Sequence, residues 1–381
     1  MIKFFAIISM VFVTGCALFG GKEIESKWGV LKTSDVLSCD AWSKRKNDIA
    51  QNAILAVYNE DAEVTGFMVE SLNRRGIQDS YYAPFENSTS FDRDDFKDIE
   101  VGGTSLVIGG AYKNSPLAAV FIDSSKNSRI EFRDVNSNVV KYSAKISGTD
   151  FSGGRVIVGK NNTWLALKND DKMQISTIQF KPKFKLKKLN KNFPSAELIG
   201  FANNKELIAI RQTNSKKLVA RKISANSFGQ QEVDLQVPVN DQIENWSAAE
   251  YNGGVVVVYV DGDSLVGQAT LKVSLIRWNA QNDPSVTWTK EFSVNDVHVT
   301  RPTIIKYKDK LKILMTTWMD AEATIARYSI DGASLKFDGY QGVLKQGAQI
   351  ESLFQGVGSN DLYAIVREKA VAQWNYKVCE L

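Results

Sequence analysis

The sequence predicts an all-β fold made of repeated four-stranded antiparallel units. Three observations carry that expectation. Short apolar or alternating runs recur between turn signals from about Gln51 onward. Long helical periodicity is scarce. One short pattern returns at a multiple of a plausible unit length.

The clearest runs are Ala53–Tyr58, Ser105–Ile108, Leu117–Ile122, Arg155–Val158, Trp164–Leu167, Leu207–Ile210, Val255–Val260, Lys312–Thr317, Ala323–Ile330 and Leu362–Val366. They are rich in Val, Ile, Leu and aromatic residues, which suit a pleated surface. Between them lie Asn-Asn-Lys (203–205), Asn-Gly-Gly (252–254), Lys-Asp-Lys (308–310) and Ser-Asn-Asp (359–361). Asn, Asp and Gly tolerate the left-handed backbone of tight turns, so these read as hairpin connections.

The best helix candidate is Asp61–Arg75, with acids at its start, two arginines at its end and Gly76 beyond. An internal comparison opposes it. Residues 61–65 read Asp-Ala-Glu-Val-Thr and residues 320–324 read Asp-Ala-Glu-Ala-Thr, each between two strand-like runs. The two lie 259 residues apart, or five units of about 52. About seven such units fit the chain beyond residue 15. Four-stranded repeats of this length are the signature of a β-propeller, here of seven blades. Unit four is expected over 195–239, unit five over 241–294, unit six over 297–344, and unit seven from about Gly347 to Leu381. Unit seven shows three strands, and Lys27–Leu37 is expected to supply the fourth.

The N-terminus carries a different message. Lys3 precedes the apolar run Phe4–Val13, which is too short to span a bilayer. Val13-Thr14-Gly15-Cys16 follows and resembles the bacterial lipobox. The resemblance implies a signal peptide over 1–15, lipidation of Cys16 and a tether over 16–26, with the propeller over 27–381. Ala17 rather than Asp after the cysteine favours, by the same resemblance, the outer membrane of a bacterial envelope. Several acyl chains make such an anchor stable.

Composition bounds the partners. The net charge of +4 is too small to imply nucleic acid. Of three cysteines, Cys16 is assigned to lipid, leaving Cys39 and Cys379 near the two ends. In an oxidising compartment they favour a disulfide, which requires the chain ends to meet, as in a ring.

The chain resembles the seven-bladed propeller superfold over nearly all of its length, without a family-specific motif. In anchor and architecture it also resembles the propeller lipoprotein of the bacterial outer-membrane barrel-assembly machinery. Its repeats do not carry that family's pattern, so no residue roles transfer.

Little in the sequence points to catalysis. The single histidine, His298, sits in an alternating segment and reads as a strand-end residue rather than part of a triad. Metal sites of several His or Cys are excluded by count, and no cofactor motif is present. Asp261-Gly262-Asp263 could contribute to a calcium site but reads more simply as a turn. Ser329-Ile330-Asp331-Gly332 does not match the sialidase Asp-box. Arg301-Pro302 lacks the rest of an arginine pocket.

Two surface patterns stand out. Lys181, Lys183, Lys185 and Lys187 alternate with Phe180, Pro182, Phe184 and Leu186. In a strand the lysines share one face, either to contact an anionic surface or to guard an outer edge. The tryptophans, among them Trp164, Trp246, Trp278, Trp288, Trp318 and Trp374, could stack on sugars or fill the space between blades. The expected function is a non-catalytic binding or scaffolding propeller, tethered by lipid to the membrane, for envelope protein partners. The alternative is a propeller that binds or cleaves carbohydrate, which carboxylates and tryptophans at the pore mouth would favour.

Overall fold

The computed structural model describes strand backbones between 23 and 122 and most of the chain from 128 to 381, with short breaks between strands. Among the described residues, all 31 regular elements are strands. The first two, β1 (Glu23–Ser26) and β2 (Gly29–Lys32), form a separate antiparallel hairpin. The third, β3 (Cys39–Ala41), joins the last sheet of the chain.

The rest follows in seven antiparallel four-stranded units. Unit one contains β4 (Ile54–Tyr58), β5 (Val64–Leu72), β6 (Gln78–Pro84) and β7 (Lys97–Ile99). Unit two contains β8 (Ser105–Tyr112), β9 (Pro116–Ile122), β10 (Arg129–Asp134) and β11 (Val140–Lys145). A parallel pairing of β4 with β8 merges these two into one eight-stranded sheet. Unit three contains β12 (Gly153–Val158), β13 (Thr163–Asn169), β14 (Lys172–Gln179) and β15 (Lys185–Pro194). Unit four contains β16 (Glu197–Gly200), β17 (Glu206–Gln212), β18 (Leu218–Ser224) and β19 (Val233–Asp234). Unit five contains β20 (Ile243–Tyr251), β21 (Gly254–Asp263), β22 (Gln268–Trp278) and β23 (Pro284–Ser293). In unit six, β24 (His298–Val299) and β25 (Thr303–Tyr307) share the first position beside β26 (Lys310–Met319), β27 (Glu322–Asp331) and β28 (Ser334–Lys345). Unit seven contains β29 (Gln349–Gln355), β30 (Leu362–Lys369) and β31 (Trp374–Glu380), completed by β3.

First strands of successive units touch in chain order, from β4 and β8 round to β25 and β29. The circle closes where Phe67 of unit one meets Phe354 of unit seven edge-on, with ring centroids 4.8 Å apart. This arrangement is a β-propeller.

Packing explains why middle strands read as continuous apolar runs. Side chains alternate across a strand. In β21, Val255, Val257 and Tyr259 join Ile208 and Ile210 of unit four, while Val256, Val258 and Val260 join Leu311 and Ile313 of unit six. In β13, Leu165 and Leu167 face unit two, and Trp164 and Ala166 face unit four. In β26, Ile313 and Met315 face unit five, and Leu314 faces unit seven. Both faces of these sheets are therefore core. Each large apolar side chain so buried contributes about 1.5–3 kcal/mol.

The turns follow the expected chemistry. Asn252 and Gly253 both have positive φ, 50° and 73°, in a two-residue hairpin that pairs Tyr251 with Gly254. Lys308 has φ of 52° in the hairpin between β25 and β26. The other two turns, 203–205 and 359–361, lie outside the described residues.

Several expectations need correction. The fourth strand of unit seven is Cys39–Ala41, not Lys27–Leu37, because residues 29–32 pair with Glu23–Ser26 instead. That hairpin also takes in the end of the stretch read as tether. The helix candidate is strand β5 over much of its length. The repeated pentapeptide links first and second strands in unit one but second and third strands in unit six. It led to the right architecture through non-equivalent positions, since both segments lead from one apolar strand into another. Asp261-Gly262-Asp263 belongs to β21 rather than to a turn, and Lys272 Nζ lies 2.7 Å from Asp261 Oδ2. The signal segment 1–15 and Cys16 lie outside the described residues. No helix among the described residues is long and apolar enough to cross a membrane.

Close packing makes one glycine testable. A Cβ on Gly254 would lie 2.5 Å from the backbone oxygen of Ile276, whereas one on Gly153 would meet nothing within 4 Å. Gly254→Ala is expected to cost about 1–3 kcal/mol, and Gly153→Ala much less. Denaturation midpoints of the two variants against wild type check this.

Candidate functional site

The first strands converge on a cavity of about 1230 Å³. Its wall draws on units three to seven: Arg155 from β12, Trp246 and Ser247 from β20, residues 299–304 from unit six, and Gln349–Glu351 from β29. Ile210, Arg211 and Gln212 of β17, Trp318 of β26 and Arg367 of β30 complete much of the rest. The cavity therefore lies around the propeller axis.

Three inner strands lose their regularity where they line it. The register of β20 shifts between Glu244 and Trp246, and the extra residue Asn245 has φ of 45°. The register of β29 shifts between Ile350 and Ser352, leaving Glu351 as the extra residue. In unit six, residues 300–302 interrupt the strand between β24 and β25. Bulges bend a strand and re-aim its side chains, and they gather beside functional sites.

The unit-six interruption has its own support. Thr300 N–H donates to the Thr316 carbonyl at 2.9 Å, and Thr300 Oγ1 accepts from Thr316 N–H at 3.1 Å. Thr316 Oγ1 lies 2.6 Å from the Ala348 carbonyl of unit seven. These buried hydroxyls replace missing ladder bonds and tie two units together.

Arginine dominates the wall electrostatics. Among the described residues, Arg155, Arg211, Arg301 and Arg367 line the cavity, with Glu351 as the one lining carboxylate. Arg367 Nε lies 2.7 Å from Glu351 Oε1, and Arg367 also donates to the Gln349 side-chain carbonyl. Arg211 makes a two-pronged contact with Glu232, at 2.8 and 2.6 Å. That Arg211 pairing is the largest influence on Glu232 and, against the opposing effect of burial, holds its carboxyl below the usual range. Arg301 donates Nε–H to the Trp246 carbonyl at 2.6 Å, and its guanidinium carbon lies 5.8 Å from the Trp246 ring centre. Its plane is thus held in place across the boundary between units five and six.

Ser247 sits beside this group. It is 6% exposed, lines the cavity, and its hydroxyl has no hydrogen-bond partner among the described residues.

The sequence-based candidates fall in different places. His298 is in β24, opposite Trp318, with its side chain outside the described residues. Lys183, Lys185 and Lys187 are exposed at or just before β15, the outer strand of unit three, and Lys181 lies outside the described residues. Phe180 and Phe184 turn the other way, onto Phe132 and Tyr142 of unit two. Cys39 stands directly opposite Cys379 in the β3–β31 ladder, and Cys379 is fully buried. Trp164 is core, Trp278 and Trp288 pack partly buried between units, and Trp246 and Trp318 both pack and line the cavity. The side chain of Trp374 lies outside the described residues. Asp331 and Gly332 form the β27–β28 hairpin, where Gly332 N–H donates to Tyr251 Oη at 2.9 Å. Among the described residues no group of three or more His, Cys, Asp or Glu could hold a metal ion.

Of the cavity arginines only Arg301 has a local sequence feature, the Arg-Pro pair; Arg155, Arg211 and Arg367 have none. They are far apart in the chain and meet only through ring closure.

Glu232 gives a prediction with a definite sign. Its folded pKa is lowered from an ordinary 4.5. Its contribution is therefore complete above that value and is lost as pH falls through the folded pKa. Wild type is expected to melt above Glu232→Gln at neutral pH, with the gap closing as pH drops below about 4. Thermal midpoints across pH check this.

No family model and no curated protein matches this sequence. Solved structures do. A chain in a structure described as the mitotic checkpoint complex aligns with a TM-score of 0.51 and 10% identity, covering 97% of this chain and 98% of that one. The β-propeller domain of Cps50 (Swd1) from Myceliophteria thermophila aligns with a TM-score of 0.51 and 9% identity, covering 90% and 99%. At such identities the likeness concerns the fold, and it agrees with the sheet topology in making this chain a β-propeller.

Proposed function

We propose that this protein is a binding propeller, tethered by lipid on Cys16 to a bacterial envelope membrane, that recruits an envelope protein partner. The observation that carries the binding reading is the axial cavity. Five units supply its wall, three of them with irregular inner strands, and its one described carboxylate is committed to Arg367. Such a wall favours contact over bond breaking, because glycoside hydrolysis calls for two facing carboxylates. Support for the anchor is the Val13-Thr14-Gly15-Cys16 segment, and Ala17 favours the outer membrane. The exposed lysines 183, 185 and 187 would face anionic head groups or an acidic partner.

The Cys39–Cys379 disulfide belongs to this reading. Directly opposed residues in an antiparallel ladder have Cα atoms about 4.5–5.5 Å apart, within disulfide reach. The bond would lock β3 onto unit seven and hold the ring shut, stabilising it by roughly 5 kcal/mol in chain-entropy accounting for a loop this long. Alkylation of the denatured, unreduced protein followed by mass spectrometry is expected to label neither cysteine. Labelling of both would remove the bond.

A carbohydrate ligand is the second reading, favoured by Trp246 and Trp318 on the cavity wall. One experiment separates the two. The lipidated protein is crosslinked in intact host cells, extracted in mild detergent and analysed by mass spectrometry. Reproducible capture of one or a few envelope proteins, lost on Cys16→Ser, is the expected result. Glycan retained without any protein would replace the first reading with the second.

A further inference from the structure

We infer that the outer rim of units two and three is a docking edge, and that an acidic, extended segment of the partner protein pairs with β15 there. The inference rests on the protein-binding reading above and names the place and chemistry of its contact.

Charge comes first, and the outer strands of the units differ in it. β3, β7, β19, β23 and β28 each carry a carboxylate, at Asp40, Asp98, Asp234, Glu291 and Asp338. β11 and β15 carry none. β11 holds Lys141 and Lys145, and β15 holds Lys185, Lys187, Lys188 and Lys191. Lys141, Lys145, Lys183, Lys185 and Lys187 are exposed, and among the described residues none of them pairs with a carboxylate. Glu131 of β10 is engaged by Arg129 and Arg133.

Geometry comes second. β15 pairs only with β14 among the described strands, so its outer edge is open. Along it Lys185 and Lys187 alternate with Phe184 and Leu186, which pack toward unit two. Phe184 and Tyr142 of β11 have ring centres 5.2 Å apart, and Lys188 Nζ donates to Ser147 Oγ at 3.2 Å. The rims of the two units therefore form one surface. Val139 and Val140, at the head of β11, are the exposed large apolar side chains among the described residues, at 52% and 42%. The turn before them is held by Asp134, whose carboxylate accepts from the N–H groups of Asn136 and Ser137 at 3.0 Å.

A strand added to β15 would set one row of side chains beside the lysines and the other beside Phe184 and Leu186. The matching sequence alternates Asp or Glu with apolar residues. Opposite charges across a ladder favour pairing and like charges oppose it. The lysines thus turn away β15 of a second copy and admit an acidic strand.

Position decides the source of the negative charge. β2 lies against β28 of unit six, which stands across the ring from the boundary of units two and three. The proposed lipid tether leads into the β1–β2 hairpin. The basic rim is therefore on the far side of the ring from the anchor, where a protein segment reaches it more readily than lipid head groups do.

The test uses the full lipidated protein in nonionic detergent. A fluorescein-labelled peptide of alternating Glu and Val, matched to the 10 residues of β15, is titrated and followed by anisotropy. Controls are a Lys-Val peptide, a Glu-Val peptide with every backbone nitrogen methylated, and phosphatidylglycerol micelles as competitor. The alternating acidic peptide is expected to bind and to weaken with added salt. The Lys-Val and methylated peptides are expected not to bind. Joint Lys185→Gln and Lys187→Gln substitution is expected to weaken binding about threefold, and Lys185→Glu with Lys187→Glu about tenfold. Both side chains are exposed, so unchanged thermal midpoints show that these variants fold. Absence of binding at low salt, or binding indifferent to both pairs of substitutions, would overturn the inference. Equal binding of the methylated peptide would overturn strand pairing, and displacement by phosphatidylglycerol at equal charge would assign the rim to lipid. Should the peptide fail while in-cell capture of a protein persists in the Lys→Glu variant, the partner docks elsewhere and the binding reading survives. Loss of capture from wild type itself would end both.

Discussion

Two-sided burial is the constraint on which the molecule depends. A four-stranded sheet presents two faces, and in this chain neither face of a middle strand can be left to water. Val255 to Val260 show why: each residue in turn belongs to the core on one side and then on the other. One unit cannot bury both of its faces alone. A row of units leaves two bare ends, and only a ring leaves none. Ring closure is thus the consequence of apolar residues at odd and even positions alike.

Closure then concentrates demands at the seam and at the axis. At the seam, Phe67 meets Phe354 and β3 completes the last sheet across the ladder from β31. At the axis, inner strands from neighbouring units approach each other and cannot all stay regular. The bulges at Asn245 and Glu351 and the break at 300–302 sit there. The Thr300–Thr316–Ala348 hydrogen bonds offset what the break removes from the ladder. Irregular backbone in turn aims Trp246, Ser247, Arg301 and Glu351 into one space. The same geometry that closes the fold therefore builds the cavity.

Ion pairs follow the same division. At the axis, Arg211 with Glu232 and Arg367 with Glu351 are partly exposed contacts that position guanidinium groups more than they stabilise the fold. Away from it, Asp261 and Lys272 pair inside unit five. Asp261-Gly262-Asp263 had read most simply as a turn, because Asp and Gly are turn residues. Pairing between β21 and β22 instead keeps the segment extended and gives the carboxylate a lysine.

Some of this was legible in the residues themselves. Strand periodicity, hairpin turns such as Asn252-Gly253 and the boundaries of units four to six follow from local rules, because side-chain alternation and left-handed backbone are properties of a few consecutive residues. The alternation of Phe184 and Leu186 with lysines likewise marked an outer strand. Other features had no local signature. Lys27–Leu37 read as the closing strand, yet it is Cys39–Ala41 that pairs with β31, a choice decided by the closing of the ring. The repeated Asp-Ala-Glu pattern could not reveal that its copies occupy different hairpins. The four cavity arginines are spread from 155 to 367. What brings them together is the order of units around an axis, and that order is fixed by contacts between residues far apart in the chain.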